Sequence, residues 1–423
     1  MNLLIIGNGA REHAFAWKIS QSSHDVKIFV TNASPGIKEV AKSVEIDLNS
    51  FNQIKDCIIQ NEISFVIVGP EVPLIEGLTD FIKNDSIINN VMVIGPSKFG
   101  AQLEGSKDFA KDFMKRHNIP TAQHKTFTKN KIEEAHAYLE HLSPPYVLKA
   151  DGPAAGKGVL IINDLDSAKD EVSEMLIANK FGAASNKVVI EEFLDGIEMS
   201  CFVLFDGSNY KILPYAKDYK RISEGDKGLN TGGMGSISPV SFLNEDLKNK
   251  IENEIIKPTV NGLIKEKIDY VGFIFIGLIN VAGSPKVIEY NVRMGDPETQ
   301  VVLPRIKNDI MDLLIACANK SLNKISLEIS PKNYVNVVLA SKGYPENYKK
   351  GEQITGFDLV KDSIIFHAGT AVSKKEVVTN GGRVLSVVSS ANSMDYALSK
   401  SYDSIEKLSF KGKTYRSDIG FDL

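Results

Sequence analysis

Short apolar runs alternate with helix-length amphipathic stretches over the first hundred residues. Leu3-Leu4-Ile5-Ile6 is an unbroken apolar strand, and residues 11–22 carry Phe15, Trp17 and Ile19 with helical periodicity. Strands follow at 26–30, 65–68 and 91–94, and strands separated by helix-length segments predict a parallel sheet with crossover helices. Gly95-Pro96-Ser97 closes this unit, and 98–118 reads as one or two connecting helices. From residue 121 the pattern changes to α+β: helices at 131–141 and 167–178 flank strands at 146–150, 159–162 and 188–192. Strands at 199–205 and 211–216 lead into a polar, glycine-rich loop at 217–238 and a long helix at 244–267. Two apolar strands, 272–281 and 286–292, precede a helix at 308–318. After residue 330 β signals dominate, at 335–339, 364–368 and 383–388, before a helix at 393–408. No internal repeat or low-complexity linker interrupts the chain, so its domains are expected to pack without long tethers.

Composition narrows the class. The chain has 423 residues, 43% hydrophobic and 24% charged, as in ordinary globular proteins of two to four domains. A net charge of −4 with both signs interspersed offers no broad basic field for nucleic acid or anionic membrane. Cys57, Cys201 and Cys317 lie far apart with no CxxC, which fits a reducing compartment. The seven histidines form no HExxH and no i,i+4 pair, so zinc chemistry is not expected. The opening Met1 to Gly7 runs from a buried strand straight into a glycine loop, with no basic n-region. The most apolar later stretch, 271–281, is too short and glycine-broken to span a bilayer. The expectation is a cytoplasmic monomer without nucleic-acid or membrane partners.

Candidate chemistry begins at 286–293. Period-two alternation puts Ile288, Tyr290 and Val292 on one face and Glu289, Asn291 and Arg293 on the other. A carboxylate, an amide oxygen and a guanidinium in line make a poor core but a good polyphosphate site. Glu289 and Asn291 offer hard oxygen ligands to Mg²⁺, and Arg293 offers a fork for phosphate or carboxylate. The strand breaks into Met294-Gly295-Asp296-Pro297-Glu298-Thr299-Gln300, where Gly295 lets backbone approach a ligand. Taken alone, a charged edge strand with a solvated turn would read the same.

Residues 147–159 read as strand, glycine loop, strand. Gly156 and Gly158 free backbone N–H groups for phosphate oxygens, while Lys149 and Lys157 add charge. The spacing is not that of a Walker A loop. Loop 152–158 is expected to be mobile without ATP, because glycines are costly to order. A second loop, 228–235, contains Gly232 and Gly233 and follows Lys217-Asp218-Tyr219-Lys220-Arg221, a set suited to an anionic substrate with an amino group. Strand 188–194 ends in Glu191-Glu192-Phe193-Leu194, a backbone edge for adenine with a carboxylate for ribose. Gly7-Asn8-Gly9-Ala10-Arg11-Glu12 falls short of a dinucleotide fingerprint. Glu12 stands at the third glycine, and no acid follows the second strand. A helix N-terminus with Arg11 still suits phosphate, and Glu71 lies where open sheets place ligands.

Together these residues resemble one family closely, the phosphoribosylamine–glycine ligases (glycinamide ribonucleotide synthetases) of the ATP-grasp superfamily. The family's RxGDPExQ is met by 293–300, its KADGxAAGKGV by 149–159, and its KDYKR and NTGGMG by 217–221 and 230–235. Its GNGGREHA is met by 7–14 except at Ala10. Gly343-Tyr344-Pro345, His367-Ala368-Gly369-Thr370 and Gly381-Gly382-Arg383-Val384 also match.

The resemblance implies an α/β and α+β multidomain chain: an N-terminal parallel-sheet α/β domain over 1–102, an ATP-grasp domain over 103–328 with a mobile lid at about 121–192, and a small β-rich domain over 329–423. It implies that ATP activates glycine as an acyl phosphate, which 5-phosphoribosylamine attacks in purine biosynthesis. Glu289 and Asn291 would hold Mg²⁺ (or Mn²⁺). Lys107, Lys149, the loop at 156–158, the hinge Glu191, Glu192, Phe193 and Leu194, and Glu198 would hold ATP. Arg293, Gly295, Asp296 and Asp218 would hold glycine or its acyl phosphate, with Gly232 and Gly233 beside them. Gly7, Asn8, Gly9, Arg11 and Glu71 would hold phosphoribosylamine. Two departures matter: Ala10 adds a methyl beside the ribose-phosphate loop, and strand 272–280 is apolar on both faces, so phosphate oxygens and water are expected to complete the metal's shell. Rival readings are another ATP-grasp ligase or carboxylase, a nicotinamide-dependent oxidoreductase and a non-catalytic nucleotide sensor.

Overall fold

Leu3, Leu4, Ile5 and Ile6 are all fully buried, and their run has no polar face because the strand Asn2–Ile6 lies mid-sheet with both sides covered. The computed structural model describes residues 1–154 and 158–423. Gly156 and Lys157 lie outside the described residues, as does the middle of loop 152–158. Five parallel strands form the first sheet, in the order Lys42–Val44, Lys27–Thr31, Asn2–Ile6, Phe65–Val68, Met92–Ile94. The strand order reverses between Asn2–Ile6 and Phe65–Val68. Residues 7–9 and 69–71, which leave these strands, therefore border the crevice where open α/β sheets take ligands. The sequence pattern misses Lys42–Val44, which is short and carries one apolar side chain.

Two antiparallel sheets carry the middle of the chain. A lid sheet runs His124–Thr128, Lys187–Glu191, Tyr146–Ala150, Val159–Ile162 and is backed by helices Ile132–Glu140 and Leu165–Ile177. Phe127, Leu139, Leu148, Val172 and Ile190 give it a core of its own. The central sheet runs Tyr210–Ile212, Ile197–Phe205, Gly272–Val281, Ser284–Asn291. The helix expected over 244–267 is three successive segments, Glu245–Lys250, the π-helical Ile251–Ile256, and Lys257–Lys265. Pro258 lacks the N–H that would close the α ladder, and the helix widens in the turn before it.

A last sheet runs Lys217–Asp218, Gly235–Ser238, Asn333–Ser341, Arg383–Ala391, Ile364–His367. Two of its strands thus come from the 217–238 loop rather than from the end of the chain. Helix Ala10–Ile19 joins this sheet to the first one. His13 and Trp17 meet Phe366 edge-on, with ring centroids 5.3 and 5.7 Å apart, and the His367 N–H donates to His13 Nδ1 at 2.8 Å. A Cβ on Gly36 would overlap both histidine rings, so glycine is required there. Ala10, first in the helix and 1% exposed, turns its methyl into the core with Leu3 and Ile5. The methyl, expected to lie beside the ligand loop, is thus directed to the core instead. Among the described residues no helix is long and apolar enough to cross a membrane.

Burial pushes His13 down to about 3, with a smaller contribution from His367, and pushes His367 down to about 4. An unfolded histidine titrates near 6.5, roughly, so below that pH the unfolded chain binds more protons and stability falls as pH drops. The urea midpoint is expected to be lower at pH 5 than at pH 7. The variant His13→Gln, which cannot charge, should narrow that difference, and an equal difference in the variant would refute the assignment.

Candidate active site

The strand Ser284–Asn291 carries its polar residues into a cleft, but without strict alternation. Opposite it, Gly277 pairs with Glu289 and Leu278 with Val287, so Ile288 is a bulge. Val287, Tyr290 and Val292 take the core positions, while Ile288 joins Glu289 in lining the cleft with Glu198, Asp218 and Lys220. This corrects the expected face for Ile288; the bulge leaves Glu289 flanked by open space above Gly277, where a Cβ would sit 3.3 Å from its Cγ. Asn280 is spent in a turn, accepting the Gly283 N–H at 3.0 Å.

One side of the cleft is built from lysines. Lys149 and Lys111 both reach Glu191 Oε2 at 3.0 Å, all three side chains being buried. Burial pushes Lys111 down to about 8 against the pull of Glu191, and the two lysines outweigh burial to hold the Glu191 carboxyl low. Lys149 Nζ also reaches the Ile288 carbonyl across the cleft at 3.4 Å. Lys107 opens the helix Lys107–Arg116 and donates to the Gly152 carbonyl at 3.5 Å; burial lowers its pKa, opposed by Glu289. Gly158 packs against Ala154 and Ala150. Glu192 accepts from the Gln123 N–H at 3.0 Å and from Lys286 at 3.4 Å, while Phe193 is 39% exposed and Leu194 half-buried. Glu198 pairs with Lys220 at 2.7 Å, which holds its carboxyl low.

Asp218 shares this cleft, and burial raises its carboxyl despite Lys220. Beside it Glu298, 2% exposed, accepts from Ser200 Oγ at 2.9 Å, and burial together with Asp218 pushes its carboxyl up to about 7. A Cβ on Gly295 would overlap the Glu298 carboxylate, and Cβ atoms on Gly232 and Gly233 would strike Arg383 and Pro297. These three glycines are therefore explained by close packing within the site.

Asp296 joins the N-terminal loop to this assembly. A Cβ on Gly9 would lie 3.7 Å from Asp296 Oδ2. Burial works against the Asp296 charge, but Arg383, Arg11, Gln300 and Arg293 together hold its carboxyl below the usual range. Arg383 reaches in from the last sheet, 3.2 Å from Asp296 Oδ1, and donates to the Gly232 carbonyl at 2.6 Å. Arg11 bonds Glu12 at 2.6 Å and the Met294 carbonyl at 3.2 Å. Glu12 fills the space a dinucleotide would need. It accepts the Gly9 N–H at 2.7 Å, and a Cβ on Gly7 or Gly69 would collide with it. Gly7 also has φ +102°, and Asn8 donates to the Asn32 carbonyl at 3.0 Å.

Arg293 is less free than its sequence suggests. Its Nη2 donates to Glu104 at 2.8 Å and Asn291 at 3.0 Å, and its Nη1 to the Met294 carbonyl at 3.3 Å. Nε is left, 3.5 Å from Glu71. Glu104, Lys111, Glu12, Glu298 and Arg383 are site residues that pattern reasoning did not single out. Glu104 and Lys111 are recognised only through partners far away in the chain, while Glu12, Glu298 and Arg383 stand in the quoted motifs but were given no role there.

Of six buried side-chain polar atoms without a hydrogen-bond partner among the described residues, four line this site: Glu191 Oε1, Asn291 Nδ2, Arg293 Nε and Gln300 Oε1. Such atoms are costly unless a ligand satisfies them. The Glu289 carboxylate faces the cleft without an ion-pair partner among the described residues, and Asn291 Oδ1, two residues on, accepts from Arg293 Nη2 at 3.0 Å and keeps one further lone pair; these two are the hard oxygens that could serve a divalent cation.

Residues 1–104, 105–299 and 334–422 match the N domain, the ATP-grasp (A) domain and the C domain of phosphoribosylglycinamide synthetase. Proteins named phosphoribosylamine–glycine ligase are similar throughout. That of Neisseria meningitidis serogroup A is 44% identical over 99% of this chain and 98% of its own length, and that of Pseudomonas aeruginosa 44% over 100% and 98%. The crystal structure of the Thermotoga maritima phosphoribosylamine–glycine ligase superposes with a TM-score of 0.86 at 34% identity, covering 99% of this chain and all of that one. The biotin carboxylase domain of Hydrogenobacter thermophilus 2-oxoglutarate carboxylase, solved with MgADP, shares the ATP-grasp fold alone, at 17% identity and a TM-score of 0.72 over 98% of this chain and 91% of that one.

Removing Glu104 strands Arg293 in a buried setting. Glu104→Ala is expected to cost about 3–5 kcal/mol, and Glu104→Gln less, because the amide still accepts the Val292 N–H. Urea denaturation checks this; equal losses would show that charge is not what Glu104 contributes.

Proposed function

We infer the function from one premise: the chain belongs to the phosphoribosylglycinamide synthetase family. It is an ATP-dependent ligase that joins glycine to 5-phosphoribosylamine, giving glycinamide ribonucleotide, ADP and phosphate in purine biosynthesis. It uses ATP and a divalent metal, which we take to be Mg²⁺ or Mn²⁺, and we place it in the cytoplasm as a monomer with small-molecule substrates only. The domain limits 1–102, 103–328 and 329–423 are part of the same proposal. The observation that carries the reading of the site is the row of unpartnered polar atoms along Glu191, Asn291, Arg293 and Gln300, which runs from the lysine cleft to the N-terminal loop.

Lys107, Lys149, Glu191 and Glu198 hold ATP in this reading, with the segment 192–194 as the edge for its base. The glycines and lysine of 156–158 are assigned to the phosphates from the sequence pattern alone. A divalent cation held by Glu289 and Asn291 would, when bound, neutralise charge on the phosphoryl group in transfer. Arg293, Gly295 and Asp296 position glycine so that its carboxylate oxygen attacks the γ-phosphorus. The bond to the β-phosphate bridging oxygen breaks, and glycyl phosphate and ADP result. Gly7, Asn8, Gly9, Arg11 and Glu71 hold phosphoribosylamine beside Asp296, Gly232 and Gly233. Its nitrogen attacks the glycyl carbonyl carbon; the C–N bond forms, the C–O bond to phosphate breaks, and one proton leaves the nitrogen. Asp218 and Glu298 form the acceptor pair, since burial places the proton affinity of Glu298 near neutrality.

Protein supplied with ATP, glycine and phosphoribosylamine should release ADP only when both glycine and the amine are present. Turnover driven by bicarbonate instead would sink this reading. Glu289→Gln is expected to abolish turnover while the fold and melting temperature survive, and unaltered turnover would remove its metal role. Because the acceptor must be deprotonated, kcat/KM should rise with pH through about 7, the value set by Glu298. Glu298→Gln should lose this rise along with most activity; a variant that keeps the same limb excludes Glu298 as its source.

A further inference from the structure

The stretch that presents Asp218 and Lys220 to the cleft is gripped from behind by residues 416–422. Alternation along 217–220 sends Asp218 and Lys220 into the cleft and buries Lys217 and Tyr219 on the opposite side. There Asp422 accepts from the Tyr219 hydroxyl at 3.0 Å and pairs with Lys217 Nζ at 2.9 Å. Arg416, 1% exposed, lies against the Tyr219 ring, 5.3 Å from its centroid, and its guanidinium bonds Asp418 at 2.7 Å and Asp226 at 2.5 Å. Asp418 in turn accepts the Gly225 N–H at 2.7 Å. The segment therefore holds both the strand Lys217–Asp218 and the hairpin of Arg221–Ser223 and Lys227–Asn230 that follows it. Asp422 does not line the cleft itself.

We propose that Asp422 is a positioning residue for the ligation: by fixing Lys217 and Tyr219 it sets where Asp218 and Lys220 lie on the other side of the same backbone. The inference rests on the reading that Asp218 acts on the reacting groups. It also has an electrostatic side. Asp218 faces Lys217 and Lys220 from its own segment, Glu198 from the strand Ile197–Phe205, and Glu298 at the start of the helix Thr299–Arg305. The lysines favour its ionised form and the two glutamates oppose it. Asp422 neutralises Lys217, so removing the Asp422 charge lets the Lys217 field act on Asp218 unopposed.

The test is a cycle of Asp422→Asn, Tyr219→Phe and the double variant, assayed for ADP release with glycine and phosphoribosylamine across pH, with melting temperatures alongside. Asp422→Asn should lower kcat roughly ten- to a hundredfold, the scale of a small misplacement near the chemistry. It should leave the KM for ATP unaltered. Tyr219→Phe should cost less, and the double variant little more than Asp422→Asn, because both remove one shared contact. A folded Asp422→Asn protein with wild-type kcat, one whose loss is matched by a rise in the KM for ATP, or one whose losses simply add to those of Tyr219→Phe, overturns the inference alone. Wild-type protein without glycine-dependent turnover overturns the proposed function and this inference with it.

Discussion

Asp296 is a half-buried carboxylate at the meeting point of three sheets, and a charge so far withdrawn from water destabilises a fold unless cations face it. It is tolerated because cations from separate parts of the chain converge on it: Arg11 from the first helix, Arg293 from the end of the central sheet, and Arg383 from the last sheet. The same convergence fixes how those parts sit. Arg383 cannot reach Asp296 without also meeting the Gly232 carbonyl, and Arg11 cannot approach without the Met294 carbonyl. The electrostatic demand of one side chain thereby becomes a constraint on the relative placement of the sheets, and the substrate loops inherit it.

The lid stands apart from this constraint. Its hydrophobic core is separate from the others, and among the contacts that tie it to its neighbours are Lys149 Nζ on the Ile288 carbonyl of the central sheet, Glu191 with Lys111 of the helix Lys107–Arg116, and the bonds between 120–121 and Val287. On the proposed assignment the glycine and amine sites fall on the rigid part and the nucleotide beside the separately packed sheet, a division suited to a reaction that must admit ATP and yet exclude water from an acyl phosphate.

Much of this was legible in the chain. The apolar strands of the first sheet, the polar run at 289–296 and the two glycine loops follow from periodicity and residue type. What was not legible depends on pairing. The bulge at Ile288 comes from the register against Gly277 and Leu278, which no local pattern encodes. Glu104 looks like any helical glutamate until Arg293 meets it 189 residues later. Glu12 reads as a failed glycine, yet its carboxylate completes the N-terminal loop. Ala10, which looked like a disturbance beside a ligand, faces the core.

The last sheet borrows Lys217–Asp218 and Gly235–Ser238 from the middle of the chain and pairs them with Asn333–Ser341. On a ribosome adding about 5–20 residues per second, those two strands emerge seconds before their partner exists. The first sheet and the lid can form while synthesis continues, but the segment bearing Asp218 must wait for the final hundred residues. The cleft that Asp218 lines is therefore completed only after the last sheet has closed around it.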